Sequence, residues 1–326
     1  MIAQQTGCEN LKSGQKNRLI MEPINTAGTT GYSAEIQDYF AHYDLTCDES
    51  IEHRFGTFQS GRYTLAGHLY KPAVCRATVV CVHGYLNHTG QFKHLIQYLL
   101  KQDYAVAIFD LPGHGLSSGK TAAIDNFDEY TKAMEDFMAI VHDTMPAPYH
   151  AVGLSTGCSI LIDRVLEGKS GEFDKIVLAA PLVRWSFYEP SKATHAVIRC
   201  FTSKLPRFDR NNSSDRDYNL FNWTQDYLHA DCVSLDWVKA LIEWNDKIES
   251  LGPVDRPILI LQGDRDVVVD WKYNLRLLRE KCPGAVIEMV PGAKHELFNE
   301  SLEIRQQVLY DVDQYLQQTN VTEDET

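Results

Sequence analysis

Short, continuous apolar runs alternate with amphipathic stretches along most of this chain. The apolar runs, rich in β-branched residues, cover residues 77–82, 105–109, 151–154, 176–180, 258–261 and 286–290. Residues 91–101, 127–142, 155–167 and 271–281 instead repeat apolar positions at helical spacing. Apolar runs of this length are typical of parallel strands that are buried on both faces. The alternation therefore predicts an α/β fold with a mostly parallel central sheet and helices on both faces.

The chain before the first of these runs has a different pattern. Residues 1–33 are rich in Gly, Asn, Thr and Gln, and we expect them to form a mobile tail. Residues 34–43 carry aromatic and aliphatic side chains at helical intervals, which predicts a short amphipathic helix. Residues 51–71 alternate in polarity around Ser60-Gly61, which predicts an antiparallel hairpin.

The α/β alternation is interrupted between Pro181 and Pro253. This stretch is rich in tryptophan and shows helical spacing at residues 193–205 and 232–248, without a run that indicates a strand. Ligand sites in open α/β sheets lie at the carboxyl ends of the strands. We therefore expect a helical layer over those ends that encloses an apolar pocket, with Trp185 among the substrate contacts.

These patterns divide the chain into three parts. We predict a polar N-terminal extension with a short helix at residues 1–50, an α/β core at residues 51–183 and 252–320, and a helical lid, or cap, at residues 184–251. Residues 184–251 are called the insertion below.

Composition narrows the classes of partner. The chain has 326 residues and a formal charge of -13, and it lacks a basic cluster, which argues against nucleic-acid binding. The eight cysteines are scattered and none is in a C-x-x-C spacing, so we expect reduced thiols that pack in the core. The N-terminus lacks the apolar segment of a signal peptide, and no apolar run reaches membrane-spanning length. We expect a cytoplasmic protein without integral membrane association, for which any membrane contact is peripheral.

The chemistry of the chain is concentrated around Ser155. Gly153-Leu154-Ser155-Thr156-Gly157 fits G-x-S-x-G, in which a strained turn between a strand and a helix lifts the serine hydroxyl clear of the sheet. The helix N-terminus that follows favours negative charge, which a nucleophilic serine and its oxyanion both develop. The pattern alone also fits an ordinary strand-to-helix turn with a capping serine.

A nucleophilic serine needs a base, and the base needs an acid that orients it. His295 follows the last strand-like run and is the preferred base. Asp266 lies in the acidic loop after the run at 258–261 and is the preferred acid, with Asp264 and Asp270 as alternatives in the same loop.

An oxyanion hole needs two preorganised N–H donors. The amide of Thr156, directly after the serine, supplies one, and the amide of Tyr85 supplies the other because Gly84 permits a sharp turn after the run at 77–82. We interpret His83 as a brace of this loop, and His114 in the Gly/Pro-rich turn at 110–117 as structural.

On these residues the sequence resembles an α/β-hydrolase of the serine-hydrolase branch. More narrowly it is similar to the monoacylglycerol lipase and lysophospholipase group, which is classified with the serine aminopeptidase-like family. The resemblance covers residues 55–316 outside the insertion and depends on Val82-His83-Gly84, Asp110 through Ser117, Gly153 through Gly157, Gly263 through Val268, and Gly292 through Leu297 with Asn299-Glu300.

The resemblance implies a nucleophile at Ser155, partners at Asp266 and His295, and an oxyanion hole from the amides of Tyr85 and Thr156. It implies no metal and no organic cofactor. We also assign His83, Gly84, Leu154 and Trp185 to substrate binding. Two features depart from the family: the long polar N-terminus, and the bulky Tyr85 at the oxyanion turn.

We expect two-step hydrolysis of a small-molecule ester, with an acylglycerol or lysophospholipid-like substrate. One alternative keeps the triad and cleaves an amide as an aminopeptidase, which needs carboxylates that hold an ammonium group; Glu189, Asp226, Asp231, Asp236 and Glu243 are available for that role. Another alternative is a non-catalytic small-molecule-binding protein, because fold does not dictate function.

Overall fold

One eight-stranded sheet runs through the part of the chain that the structure describes, a computed structural model that covers residues 21–24, 31–208 and 211–318. The strands in chain order are β1 (Ile51–Ser60), β2 (Tyr63–Pro72), β3 (Ala77–Val82), β4 (Tyr104–Phe109), β5 (Tyr149–Leu154), β6 (Phe173–Ala179), β7 (Lys204–Pro206), β8 (Cys232–Ser234), β9 (Ile258–Gly263) and β10 (Ala285–Val290). Their order across the sheet is β1-β2-β4-β3-β5-β6-β9-β10. The β1–β2 hairpin is antiparallel, β2 is antiparallel to β4, and the other pairs are parallel.

Helices cover both faces of this sheet. They are α1 (Ala34–His42), α2 (Lys93–Lys101), α3 (Asp128–Thr144), α4 (Thr156–Leu166), α5 (Tyr188–Ile198), α6 (Arg216–Thr224), α7 (Leu235–Ser250), α8 (Trp271–Lys281) and α9 (Leu302–Leu316). Buried apolar residues of α1, α2 and α9 form one core, and those of α3, α4, α7 and α8 form the other. The predicted α/β architecture with helices on both faces is therefore confirmed.

The carboxyl ends of the parallel strands lie along one edge of the sheet. The register pairs Val82 of β3 with Gly153 of β5, and Gly263 of β9 with Val290 of β10. Strand β6 joins these two pairs, since it is parallel to both β5 and β9. The loops that follow β3, β5, β9 and β10 therefore share this edge.

Part of the N-terminal extension, which we expected to be a mobile tail, contacts the sheet. The predicted tail lies outside the described residues at 1–20 and 25–30, but residues 21–24 run beside β1. The Ile24 N–H donates to the Thr57 carbonyl at 2.8 Å, and the Ile24 side chain is fully buried. One apolar residue and a few backbone hydrogen bonds are enough to dock this segment, and a polar composition does not reveal them.

The insertion contains helices, as predicted, but two details of the prediction are wrong. The helix expected at residues 193–205 is α5, which ends at Ile198, and Leu205 lies in β7. Strands β7 and β8 form an antiparallel pair of three residues each, although no strand was expected there. Three residues are too few to show an alternating pattern. Helix α6 was also missed: its only buried residue is Asn222, so it lacks a buried apolar face.

A pair of histidines is buried between the hairpin and α1. The His53 and His68 rings stack with their centroids 5.3 Å apart, and His53 Nε2 lies 3.0 Å from His68 Nδ1. Tyr70 stacks on His53 at 4.0 Å and contributes its hydroxyl to His68. Burial lowers the pKa of His53 to about 3 and also lowers the pKa of His68, so both imidazoles are neutral in the folded protein at pH 7.

We expect these histidines to make the protein sensitive to acid. Because the pKa of His53 falls from 6.5 to about 3 on folding, its stabilisation is complete above pH 6.5 and is lost as the pH falls toward 3. Replacement of His53 by Phe should reduce the pH dependence of the unfolding free energy by about 1.4 kcal/mol per pH unit between pH 6 and 4. Urea unfolding of both proteins at several pH values measures it, and the difference at pH 8 gives the combined effect of altered packing and the lost hydrogen bond to His68. An identical slope in both proteins would contradict the assignment.

Candidate active site

Ser155 forms a strained turn between β5 and α4. Its backbone has φ 53° and ψ -112°, a left-handed conformation that residues other than glycine rarely adopt. The turn is tight because α4 approaches the end of β3: a Cβ atom at Gly157 would lie 2.0 Å from the Val82 carbonyl oxygen. The Ser155 N–H donates to the Ala179 carbonyl at 3.0 Å, which fixes the turn to β6. The structure thus places Ser155 at the sheet edge described above.

The amino end of α4 presents backbone donors beside Ser155. Thr156 is the first residue of the helix, so its N–H has no acceptor within the helix. Gly84, in the loop after β3, faces the serine, since a Cβ atom there would lie 3.1 Å from Ser155 Cβ. Within the described ranges, neither the Thr156 N–H nor the Tyr85 N–H donates to a protein acceptor. These two amides are therefore available to a ligand oxygen.

The His83 side chain braces the loop after β3. The Leu111 N–H donates to its Nε2 at 2.9 Å, so the proton is on Nδ1, which donates to the Gly84 carbonyl at 2.8 Å. Burial lowers the pKa of His83 to about 3, which keeps the ring neutral. The ring is fully buried, and its contacts are those of a brace.

His295 and Asp266 form a buried pair in the loops after β10 and β9. His295 Nδ1 lies 2.8 Å from Asp266 Oδ2, and both residues are 5% exposed. The other carboxylate oxygen of Asp266 accepts the N–H groups of Val268 and Val269 at 2.8 and 3.2 Å. The Asp266 carboxylate therefore holds the Nδ1–H of His295 and leaves Nε2 as the basic nitrogen.

The charges of this pair support each other. Burial alone would raise the pKa of Asp266, but the His295 ring and the backbone donors outweigh burial and hold that pKa below its ordinary value. Burial alone would lower the pKa of His295, but the Asp266 carboxylate outweighs it and raises that pKa. The imidazolium form of His295 is thus stabilised by a neighbouring anion.

The two alternative acids have other partners. Asp264 accepts the Gly292 N–H at 2.8 Å and is exposed. Asp270 is the N-cap of α8, where its carboxylate accepts the Tyr273 N–H at 3.3 Å. Of the three candidates the structure brings only Asp266 to His295.

Two predicted substrate contacts lie in packed surroundings. Leu154 is fully buried in the core that includes α2 and α9. Trp185 forms an isolated bridge with Val269, close to the Asp266 loop, and its ring packs edge-on against Tyr188 at 4.7 Å. Their contact with a substrate stays a prediction.

Sequence reasoning missed a polar residue behind the acid. Gln262, at the end of β9, donates its side-chain N–H to Asp266 Oδ2 at 3.1 Å and is fully buried. Asp266 therefore accepts hydrogen bonds on both oxygens in addition to the one from His295. The signal was present as a glutamine in an otherwise apolar strand, a residue that rarely enters a core without a partner.

The chain is similar to known proteins along most of its length. The family model described as serine aminopeptidase, S33, matches residues 73–302. Monoglyceride lipase of Rattus norvegicus is 25% identical over 275 residues, which are 78% of this chain and 87% of the relative. The probable lysophospholipase L2 of Haemophilus influenzae is 24% identical over 282 residues, 76% of this chain and 87% of the relative.

A solved structure shares the fold. A soluble variant of monoglyceride lipase from Saccharomyces cerevisiae, in complex with a substrate analogue, superposes with a TM-score of 0.70 at 18% identity. The match covers 80% of this chain and 94% of that chain. At this identity the likeness shows the fold alone, a mostly parallel sheet of the α/β-hydrolase type.

The Asp266–His295 contact can be tested by titration of the imidazole. In Asp266→Asn the ring of His295 stays buried but loses the neighbouring charge, so its pKa should fall from above to below the ordinary histidine value. NMR of the protein with isotopically labelled histidine measures this, and His295→Gln assigns the signal. Asp264→Asn is the matched control, which should leave the titration unchanged. A His295 signal with the same pKa in wild type and Asp266→Asn would contradict the pairing.

Proposed function

The chain belongs to the serine aminopeptidase S33 family, and on that premise we propose that it is a carboxylic ester hydrolase that works through an acyl-enzyme on Ser155. His295 is the general base and Asp266 orients it. The substrate is an acylglycerol or lysophospholipid-like ester with an apolar acyl group. The observation that carries the proposal is the buried Asp266–His295 pair at the same sheet edge as the strained Ser155 turn.

In the first step Ser155 Oγ attacks the ester carbonyl while His295 Nε2 accepts the hydroxyl proton. The oxygen of the tetrahedral intermediate accepts hydrogen bonds from the backbone N–H groups of Tyr85 and Thr156. Each such donor lowers the activation free energy by about 3 kcal/mol. The imidazolium then protonates the leaving alcohol as the C–O bond breaks. Water repeats the sequence on the acyl-enzyme, releases the acid and restores the serine.

The choice of a lipid-like ester rests on two supports. Relatives of the chain carry the names monoglyceride lipase and probable lysophospholipase. The insertion, which we propose acts as the lid over Ser155, also presents large apolar side chains to solvent: Phe187, Val197, Phe201 and Phe208. Such side chains suit contact with an acyl chain or a lipid aggregate. No helix within the described ranges has the length and apolar character to cross a bilayer.

An aminopeptidase function is less well supported. It requires carboxylates that are available to a substrate ammonium group, but four of the five candidates in the insertion pair with other side chains. Asp226 is buried against His88, and Glu189, Asp236 and Glu243 pair with Arg184, Arg199 and Lys239. Burial of the Asp266–His295 pair costs desolvation free energy. A catalytic base requires such a pair, whereas a purely ligand-binding protein does not.

Ser155→Ala should abolish turnover of a short p-nitrophenyl ester, with a loss of about 10⁴-fold or more in kcat, and should abolish labelling by a fluorophosphonate. Ser159→Ala is the matched control one turn further along α4, where the hydroxyl donates to the Leu182 carbonyl at 2.6 Å. This control should label normally. Full activity of Ser155→Ala would remove the proposed nucleophile.

A series of substrates tests the ester and the acyl group separately. We expect kcat/KM to rise with acyl length among monoacylglycerols and lysophospholipids, by up to about tenfold per two added methylenes, until the pocket is filled. An aminoacyl amide of matched size should be hydrolysed far more slowly than the ester. Faster cleavage of the amide would favour the aminopeptidase alternative, and a flat chain-length profile would contradict an apolar acyl site.

A further inference from the structure

The insertion is hydrogen-bonded to the loop that carries His295. The backbone N–H groups of His295 and Glu296 both donate to the Asn212 carbonyl of the insertion, each at 3.0 Å. The base is therefore held on two sides: its ring contacts Asp266 of the core, and its backbone contacts the insertion.

A buried carboxylate reinforces this contact. Glu300 is fully buried, and its Oε1 accepts the Lys294 N–H, directly before His295, at 2.6 Å. Its Oε2 accepts the Ser214 N–H at 2.7 Å and also the Ser214 hydroxyl. The preceding residue, Ser213, donates a hydrogen bond from its hydroxyl to the Asn299 carbonyl at 2.6 Å. Charge-assisted hydrogen bonds of this kind are stronger than neutral ones, so Glu300 fastens residues 213–214 to the His295 loop.

The insertion is also fastened to the oxyanion loop, through the side chain of Tyr85. The Tyr85 hydroxyl donates to the Ala122 carbonyl at 2.8 Å and accepts the Ser234 N–H at 2.9 Å. Its ring stacks on Trp237 of α7, with centroids 3.6 Å apart and an interplanar angle of 11°. The residue whose amide is the proposed oxyanion donor thus uses its side chain to contact the start of α7.

We propose that the insertion is a positioning element of the catalytic centre, with Tyr85 and Glu300 as the positioning residues that connect it to the oxyanion hole and to the base. The inference rests on the proposed function and deepens it. The insertion does more than cover the substrate, because it sets the geometry of two groups that act only in the transition state.

This role makes a distinctive kinetic prediction. Misplacement of a reacting group by about 1 Å can cost about 10²-fold in rate. Interactions that matter only in the transition state change kcat, whereas contacts that bind the substrate uniformly change KM. Loosening of either connection should therefore lower kcat and leave KM nearly unchanged.

Tyr85→Phe tests the oxyanion side. It keeps the ring and its stacking on Trp237 but removes both hydrogen bonds of the hydroxyl. We expect kcat to fall about tenfold with KM within about twofold of wild type. Tyr63→Phe is the matched control, since the Tyr63 hydroxyl also accepts one hydrogen bond, from Arg62, and donates another, to Glu129, away from the site. Its kcat should stay within about twofold of wild type.

Ser214→Ala and Glu300→Gln test the side of the base. Both should lower kcat at constant KM. Glu300→Gln should have the larger effect, because both carboxylate oxygens accept backbone N–H groups and the amide NH2 of glutamine would replace one of these acceptors with a donor. As His295 loosens from Asp266, the acid limb of the pH profile of kcat/KM should move to lower pH. Ser191→Ala is the control within the insertion, where the hydroxyl donates to the Phe187 carbonyl at 2.8 Å. If Glu300→Gln does not fold, Ser214→Ala decides the test.

Two results would overturn the inference: unchanged kcat and pH profile in Tyr85→Phe and Ser214→Ala, or a raised KM at unchanged kcat, which would assign these contacts to substrate binding. Fluorophosphonate labelling of Ser155 in the same proteins separates the two proposals. Normal labelling of wild type together with normal kcat in the variants refutes the positioning role alone, whereas an active Ser155→Ala refutes the proposed function.

Discussion

The close approach of α4 to the end of β3 is the contact on which the site depends. Gly157 lies so near the Val82 carbonyl that no side chain fits between the helix and the strand. Because α4 cannot move away from the sheet, the chain must turn within one residue, and Ser155 takes the strained conformation. Strain of this kind costs about 1–3 kcal/mol and persists only where surrounding packing enforces it. Here every residue of α4 is buried, including Asp163 and Arg164, so the packing is available.

The buried Asp266–His295 pair is the second costly feature of the site. A desolvated carboxylate normally takes up a proton, yet Asp266 keeps a low pKa because its oxygens accept hydrogen bonds from His295, Gln262 and two backbone amides. Each of these donors is fixed by a strand or a tight loop, so the carboxylate does not need water to remain charged. The same preorganisation keeps the imidazole in one tautomer and one orientation, which a proton-transferring base requires.

The sequence predicted the parts of this protein that local patterns encode. The apolar runs and the helical spacing between them predicted the sheet and its helices. The G-x-S-x-G pentapeptide, Asp266 and His295 predicted a candidate site, and the structure contains the contact between Asp266 and His295. Contacts between distant segments left no pattern. Three features depend on which backbone groups meet in space: the docking of Ile24, the pairing of β7 with β8, and the hydrogen bond from the His295 N–H to the Asn212 carbonyl. Tyr85 shows the limit well: the sequence showed only a bulky residue at the oxyanion turn, and its contacts with Ser234 and Trp237 of the insertion could not be predicted.

The insertion is attached unequally along its length. Asp226, after α6, is buried and accepts hydrogen bonds from Tyr43, His88 and Gln91, and loss of partners for such a charge costs about 3–5 kcal/mol. Helix α5 buries Tyr188 and His195, and its ion pairs at the surface, such as Lys192–Asp246, add about 0–1 kcal/mol each. The segments that contact His295 and Asp226 are therefore held through the buried carboxyl groups of Glu300 and Asp226, whereas the ion pairs of α5 are exposed to solvent.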